Sequence, residues 1–182
     1  MNYYKETKLK NGKKIILRSC TIHDAENVLF LFNKTHEETD NLLTYPEENT
    51  FTLKDEEKFL DSMHNSENEI EIIAVIDGVA AGTAGIQQVG NKIKIKHRAE
   101  LGISVLREYW SIGIGKALTE ACIECAVKAG YEQIELNVIA ENKNAVEMYK
   151  KCGFEEIGRN PRGFKNKEGK YQTLLYMAKV LR

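Results

Sequence analysis

Residues 100–153 place two marked helix starts on either side of a strand, and this arrangement constrains the fold more than any other feature. Ile103 and Val105 alternate as in a strand, whereas Gly113 and Gly115 open an amphipathic run. The first N–H groups of a helix have no partner within the helix, and the helix dipole makes that end attractive to anions. The pattern therefore predicts a phosphate or pyrophosphate site where the helix begins.

Two familiar nucleotide-binding patterns share this description. A P-loop requires glycine at position 110 and Ser or Thr at position 117, where this chain has Trp110 and Ala117. The dinucleotide fingerprint requires a small third residue, where this chain has Leu118. The P-loop is excluded, and the dinucleotide pattern fits poorly.

Two motifs in this segment together resemble the GNAT acyltransferase superfamily. The stretch Trp110 to Gly115 is similar to the family's Arg/Gln-x-x-Gly-x-Gly/Ala turn, although Trp110 replaces the usual Arg or Gln and Ser111 stands where glycine is common. The second motif runs Asn142-x-x-Ala145-x-x-x-Tyr149 and ends in Gly-Phe at 153–154, which resembles the family's second signature. Their order around an intervening strand makes the pair specific.

The resemblance implies an α+β fold, a single domain with a central mixed, mostly antiparallel sheet flanked by helices. It also implies acetyl-CoA as cosubstrate, with its pyrophosphate on the amides of the turn and its pantetheine arm between two splayed strands. A backbone amide near Val105 would polarise the thioester carbonyl. The residues expected to bind the coenzyme are Ser104, Val105, Ser111, Ile112, Gly113, Ile114, Gly115, Lys116, Asn137, Asn142 and Ala145.

Two residues are candidates for proton transfer. The resemblance makes Tyr149 the general acid to the departing sulfur, and the seven-residue spacing from Asn142 lets both side chains face one cleft. Glu100 is a candidate base acting through water, although strand alternation alone does not say whether Glu100 or Leu101 faces the cleft. The alternatives are a capped helix with a packed tyrosine and a surface or paired carboxylate.

Length and composition limit the function classes. The chain has 182 residues, 42% of them hydrophobic, and a net charge of −1, which predicts one globular domain over residues 1–182 without general nucleic-acid affinity. No apolar run approaches a membrane span, and the start lacks a signal-peptide core, so we expect a cytoplasmic protein. The four cysteines and four histidines lack metal-ligand spacing, and we assign no metal.

The remaining chain predicts the supporting elements. Strands are expected at 13–18, 92–105, 131–139, 154–158 and 171–177, a hairpin over 71–86, and helices after Thr21, Thr52, Gly113 and Asn142. An acidic interval at 35–50 is either a wall of the acceptor site or a solvated face. A basic connection at 159–170 either touches the coenzyme or is solvated.

The sequence thus predicts an acetyl-CoA-dependent N-acetyltransferase acting on a primary amine of a small molecule, peptide or protein. Its partner is the amine acceptor, and homodimer formation is compatible with the family. A catalytically silent acyl-CoA sensor is the alternative, because every phosphate contact could persist without turnover. A mononucleotide-binding protein is a third reading.

Overall fold

A computed structural model describes residues 1–181, which form one eight-stranded sheet with helices on both faces. The strands are β1 (Tyr4–Lys8), β2 (Lys14–Ser19), β3 (Ile70–Ile76), β4 (Val79–Gln88), β5 (Arg98–Val105), β6 (Gln133–Ile139), β7 (Glu155–Lys165) and β8 (Tyr171–Val180). Their spatial order is β1-β2-β3-β4-β5-β6-β8-β7. All neighbours are antiparallel except β5 and β6, which confirms the predicted mixed, mostly antiparallel sheet.

Four α-helices cover the sheet. They are α1 (Ala25–Glu38), α2 (Leu53–Asn65), α3 (Ile114–Lys128) and α4 (Lys143–Lys151). Helices α1 and α2 pack on one face around Leu31, Leu60 and Ile73, whereas α3 packs on the other against Ile72 and Leu101. Strand alternation sends successive side chains to opposite faces, so each strand contributes to both layers.

Local sequence signals fix several element ends. The predicted hairpin turn is confirmed at Asp77 and Gly78, which have φ of 51° and 81°, the combination that a two-residue type I′ turn requires. The predicted capping box at Thr52 is also confirmed, since its side chain accepts a hydrogen bond from the Asp55 N–H at 3.3 Å. Gly130, at φ 85°, follows the end of α3.

Three boundaries differ from the sequence expectations. Strand β5 begins at Arg98 rather than at residue 92, because residues 92–97 form turns stabilised by a bond from the Ile95 N–H to the Lys92 carbonyl. Strand β1 was not predicted, since its charged residues lie on an exposed sheet edge where no hydrophobic alternation is needed. Much of the basic connection at 159–170 is strand, because β7 extends through Lys165 to pair with β8.

The two parallel strands separate after a short pairing. Residues 98–100 of β5 pair with residues 133–135 of β6, and the registered pairing ends there. The side chains of Arg98 and Glu135 form a bidentate ion pair at this junction, with N···O distances of 2.9 and 2.6 Å. Both side chains are partly buried, so the pair is shielded from solvent more than an exposed pair would be.

We predict that Arg98→Gln lowers the free energy of unfolding by about 1–2 kcal/mol, because it leaves the half-buried Glu135 carboxylate without its charged partner. Urea unfolding followed by circular dichroism measures the change. Lys13→Gln is the matched control. It breaks the ion pair between Lys13 and Asp77, two side chains that are 55% and 68% exposed, and should leave the free energy of unfolding nearly unchanged. Equal losses in the two variants would contradict the assigned role of the buried pair.

Candidate active site

The turn before α3 has the backbone conformation that directs amides outward. Gly113 is the N-cap residue with φ 108°, and α3 begins at Ile114. The first hydrogen bond of the helix runs from the Ala117 N–H to the Gly113 carbonyl at 3.0 Å. The amides that precede Ala117 in the first turn therefore have no partner within the helix. Ser111 has φ 65°, a left-handed conformation that explains why glycine is common at this place in the resembled motif. The turn therefore has the features of an anion site.

Trp110 does not supply a charge, but it fixes this turn to the sheet. Its indole Nε1 donates a hydrogen bond to the Val105 carbonyl at 2.7 Å. The Arg107 guanidinium lies over the indole ring at 5.5 Å from its centroid. Trp110 therefore holds the turn in place relative to the end of β5, although it replaces the Arg or Gln that is usual in the motif.

The helix that follows the second motif packs beside the start of α3. Asn142 caps α4, and its Oδ1 accepts a hydrogen bond from the Ala145 N–H at 3.3 Å. A β-carbon on Gly115 would lie 3.8 Å from the Met148 Cε, and Thr119 Oγ1 lies 3.6 Å from the Met148 sulfur. The N-terminal turn of α3 therefore packs directly against α4.

A basic groove adjoins the turn. Its volume is about 190 Å³, and the hairpin of β1 and β2 forms one wall while the start of α3 forms the other. The lysines that line it are Lys5, Lys8, Lys10 and Lys116. Lys116 also pairs with Glu120 at 3.2 Å, so its side chain follows the helix surface and only its backbone amide belongs to the first turn.

Main-chain groups of β5 point into the gap between β5 and β6. In an antiparallel pair only every second residue of a strand bonds to its neighbour. The Val89 N–H bonds to the Arg98 carbonyl and the Leu106 N–H to the Ala81 carbonyl, so the even-numbered residues of β5 bond to β4. Ile103 and Val105 are therefore the residues whose amides point away from β4. On β6, the Ala140 N–H bond to Thr173 places the Asn137 main chain on the gap side by the same alternation.

Tyr149 lies on α4 and is buried in the core on the face of the sheet that carries α3. Its side chain packs edge-on against Phe154 at a centroid distance of 5.8 Å and belongs to the main core. Burial, together with the nearby thiols of Cys122 and Cys152, raises the pKa of its phenol above the ordinary value. Tyr149 is consequently a protonated, largely buried phenol at neutral pH.

A cleft of about 380 Å³ opens on the opposite face of the sheet, the face that carries α1. Glu100 and Ser104 line it, which answers the question that alternation left open: Glu100 faces the cleft, and Leu101 contributes to the core. The Asn137 Nδ2 donates a long hydrogen bond to the Glu100 Oε1 at 3.4 Å. Glu100, Ser104 and Asn137 are thus brought to one side of the gap.

The cleft also contains residues that the motif comparison missed. Glu71 of β3 faces it, with Thr83 and Gly85 of β4 alongside and His36 of α1 above. Burial raises the pKa of Glu71 to about 7, although a hydrogen bond from Thr83 lowers it in part. Burial also lowers the pKa of His36, whose Nδ1 lies 2.6 Å from the Phe32 carbonyl. In the sequence, Glu71 could have been noticed as the one charged residue of the otherwise apolar strand β3.

The acidic interval at 35–50 is already engaged in local contacts. Glu38 accepts a hydrogen bond from the Arg107 N–H at 2.7 Å, Glu47 pairs with Lys167, and Glu48 accepts from the Tyr45 N–H at 2.8 Å. The cleft wall from this interval consists of Leu42 and Leu43. The carboxylates that reach the cleft come instead from the sheet.

Two further observations concern possible metal ligands and the length of the helices. Among residues 1–181 no group of His, Cys, Asp and Glu side chains is arranged to hold a metal ion. Cys122 and Cys125 are buried free thiols on the inner face of α3, where packing accounts for them. Within the same residues no helix combines the length and apolar character needed to span a lipid bilayer.

Comparison with known proteins agrees with this geometry. The family model described as "Acetyltransferase (GNAT) family" matches residues 30–154. The chain is 34% identical over 113 residues to the L-amino acid N-acetyltransferase AaaT of Escherichia coli, covering 60% of this chain and 67% of the relative.

Solved structures share the whole fold. A GNAT-family acetyltransferase of Streptococcus pneumoniae is 32% identical with a TM-score of 0.86, covering 91% of this chain and 99% of that one. A structure of yncA from Salmonella typhimurium with its cofactor acetyl-CoA has a TM-score of 0.82 at 15% identity, covering 92% and 94%. The family match over most of the chain and the shared fold show that this protein belongs to the GNAT acetyltransferase family.

Proposed function

We propose that residues 1–182 form one acetyl-CoA-dependent N-acetyltransferase domain whose acceptor is a primary amine of a small molecule, peptide or protein. The observation that carries this proposal is the gap between β5 and β6. It separates the turn at Gly113, on one side, from a cleft lined by Glu100 and Ser104, on the other. An extended thioester arm fits such a gap, with phosphates at one end and the acyl group at the other.

The expected coenzyme contacts follow from the exposed groups. Backbone amides of Ser111, Ile112, Gly113, Ile114, Gly115 and Lys116 would hold the pyrophosphate, with lysines of the adjoining groove nearby. Asn142 and Ala145 at the start of α4 would supply the second helix dipole. Main-chain groups of Val105 and Asn137 would bond the pantetheine arm, as an added strand does at a sheet edge. The yncA structure with acetyl-CoA has this fold, which supports the choice of cosubstrate.

The chemistry requires two proton transfers around one acyl transfer. Glu100 accepts a proton from the ammonium of the acceptor through water, which leaves the nitrogen lone pair free to attack the thioester carbonyl. An amide of Ile103 or Val105 stabilises the oxyanion as the C–N bond forms. The C–S bond then breaks, and Tyr149 donates its phenolic proton to the departing thiolate. The amide nitrogen loses its second proton to solvent.

The buried environment of Tyr149 suits an acid that must stay protonated until the thiolate forms. A phenol with a raised pKa does not ionise at neutral pH, and a thiolate in the same apolar surroundings is a stronger base than in water. Because desolvation raises the pKa of both groups, the two shifts offset each other, and burial does not by itself prevent the phenol from donating its proton to the thiolate. A silent acyl-CoA sensor would need no such acid.

We predict that Tyr149→Phe lowers kcat roughly 100-fold and leaves the Kd for acetyl-CoA within about threefold, since only the donated proton is lost. Free-thiol release measures turnover, and isothermal titration measures binding. Tyr131→Phe is the matched control, because this buried tyrosine bonds Asn68 at 3.1 Å on another part of the core. Unchanged kcat in Tyr149→Phe would remove the acid role.

We predict that Glu100→Gln lowers kcat/KM for an amine roughly 10- to 100-fold at pH 7 and that the deficit shrinks as pH rises. At higher pH more of the acceptor is already a free amine, so it needs no base. A pH series of initial rates tests this prediction, with Glu132→Gln as a control for removing an exposed carboxylate just before β6. A deficit that stays constant across the series would show that Glu100 does not act as the base.

We predict that Trp110→Phe weakens coenzyme A binding about 3- to 10-fold and preserves the melting temperature. The ring remains, but the hydrogen bond that fixes the turn to Val105 is lost. Isothermal titration with coenzyme A and with pantetheine separates the two ends of the ligand. The coenzyme should lose more affinity than pantetheine, and equal losses would contradict a role in placing the phosphate turn.

The function itself is tested by free-thiol release from acetyl-CoA across a panel of amines, with an amine-free control for hydrolysis. Amine-dependent release supports the transferase. Binding of acetyl-CoA without release for any amine would favour the sensor.

A further inference from the structure

The cleft floor has two glycines between two carboxylates. Glu71, Gly85 and Gly102 are register partners across β3, β4 and β5, and Glu100 lies two residues before Gly102. A β-carbon at Gly85 would collide with the Glu71 Oε2, so the carboxylate lies over this glycine. A β-carbon at Gly102 would meet nothing within 4 Å, so the next position of the floor is open space. Glu71 thus projects toward an empty volume.

No ion pair among residues 1–181 compensates the charge of Glu71. Among the described residues that form ion pairs, none joins a lysine or arginine to Glu71, and none of those residues lines the cleft. Two other partly buried acids do form ion pairs, Asp24 with Arg18 and Glu135 with Arg98.

The groups that act on Glu71 also favour a cation. Glu56 of α2 adds negative potential, and Thr83 of β4 donates a hydrogen bond. Cys20 at the end of β2 is a buried thiol whose pKa is raised, and burial lowers the pKa of His36 above the cleft, so both are neutral at pH 7. An ammonium placed beside Glu71 would therefore meet no positive charge and one unpaired carboxylate.

The spacing suits a two-headed substrate. Two strand spacings and two residue rises separate the Cα atoms of Glu71 and Glu100 by roughly 12 Å, and their side chains both project into the cleft. Phe32, Leu42 and Leu43 line the same cleft with apolar surface. Such a volume accommodates a methylene chain with an amino group at each end.

We propose that Glu71 is a specificity-determining residue that selects linear aliphatic diamines and polyamines, binding the distal ammonium while the proximal amine is acetylated near Glu100. This inference rests on the proposed acetyltransferase function and names its acceptor class. Of residues 1–181, no lysine or arginine lines the cleft to bind a substrate carboxylate, so free amino acids, the acceptors in the name of the E. coli relative, are disfavoured.

The test compares 1,4-diaminobutane with butylamine as acceptors by free-thiol release. We expect kcat/KM for the diamine to exceed that of the monoamine about 10- to 100-fold, beyond the twofold advantage of two equivalent amines, because a charge-assisted contact is added. Glu71→Gln should reduce the diamine to the level of the monoamine, mainly through KM, and leave the monoamine within about threefold. Glu37→Gln, which removes an exposed charge from α1, should preserve the preference.

Two further readouts separate specificity from a structural role. Glu71→Asp keeps the charge and should retain part of the preference. The wild-type ratio of diamine to monoamine should rise between pH 6 and pH 8, since the pKa of Glu71 lies at about 7 in the folded protein and the ionised form binds the cation. Using a ratio cancels the common effect of pH on the attacking amine.

Stability provides the folding control. Because the folded-state pKa of Glu71 is raised from 4.5 to about 7, the folded protein holds the proton more tightly, and its stability falls as pH rises through this window. Glu71→Gln lacks that cost and should melt at least as high as the wild type at pH 8.

The possible outcomes separate the proposed diamine preference from the proposed acetyltransferase activity. Turnover of monoamines or amino acids with no diamine preference, or equal losses for both amines in Glu71→Gln, would overturn the inference and leave the acetyltransferase standing. Absence of thiol release for every amine, with acetyl-CoA still bound, would overturn both.

Discussion

The divergence of β5 and β6 is the constraint on which the rest of the site depends. Two parallel strands that stay paired satisfy each other's main chain, whereas here the registered pairing ends at Glu100 and Glu135. Beyond that point the inward-facing amides of Ile103 and Val105 need a partner, and an extended ligand supplies one. The Arg98–Glu135 pair holds the junction closed, so that the opening is confined to the ends that face the two helix starts.

The gap also divides two kinds of chemistry between the two faces of the sheet. The face covered by α3 and α4 provides helix starts for an anion and the buried phenol of Tyr149. The face covered by α1 provides a cleft whose lining, within the described part of the chain, has carboxylates and no lysine or arginine. Anionic coenzyme and cationic acceptor would thus approach from regions of opposite charge preference and meet at the thioester.

The sequence predicted the parts of this arrangement that depend on local chemistry. The helix start at Gly113, Asn142 as an N-cap and the Asp77-Gly78 hairpin follow from residue type and spacing, and the mixed sheet followed from the family resemblance. Features that depend on register were out of reach. Glu71 is placed in the cleft by its register with Gly85 and Gly102 across two strands. The Trp110 bond to Val105 depends on how the backbone folds between the end of β5 and the turn, which residue types alone do not give. Strand β1 lies at an exposed edge of the sheet, so its sequence has no hydrophobic alternation from which it could be predicted.

A crystal structure of the protein with acetyl-CoA tests the central claim most directly. The account predicts pyrophosphate on the amides that follow Ser111, pantetheine hydrogen-bonded to the main chain of Ile103 or Val105, and the thioester sulfur within hydrogen-bonding reach of the Tyr149 hydroxyl. Coenzyme bound outside the gap between β5 and β6, or a sulfur remote from residue 149, would contradict it.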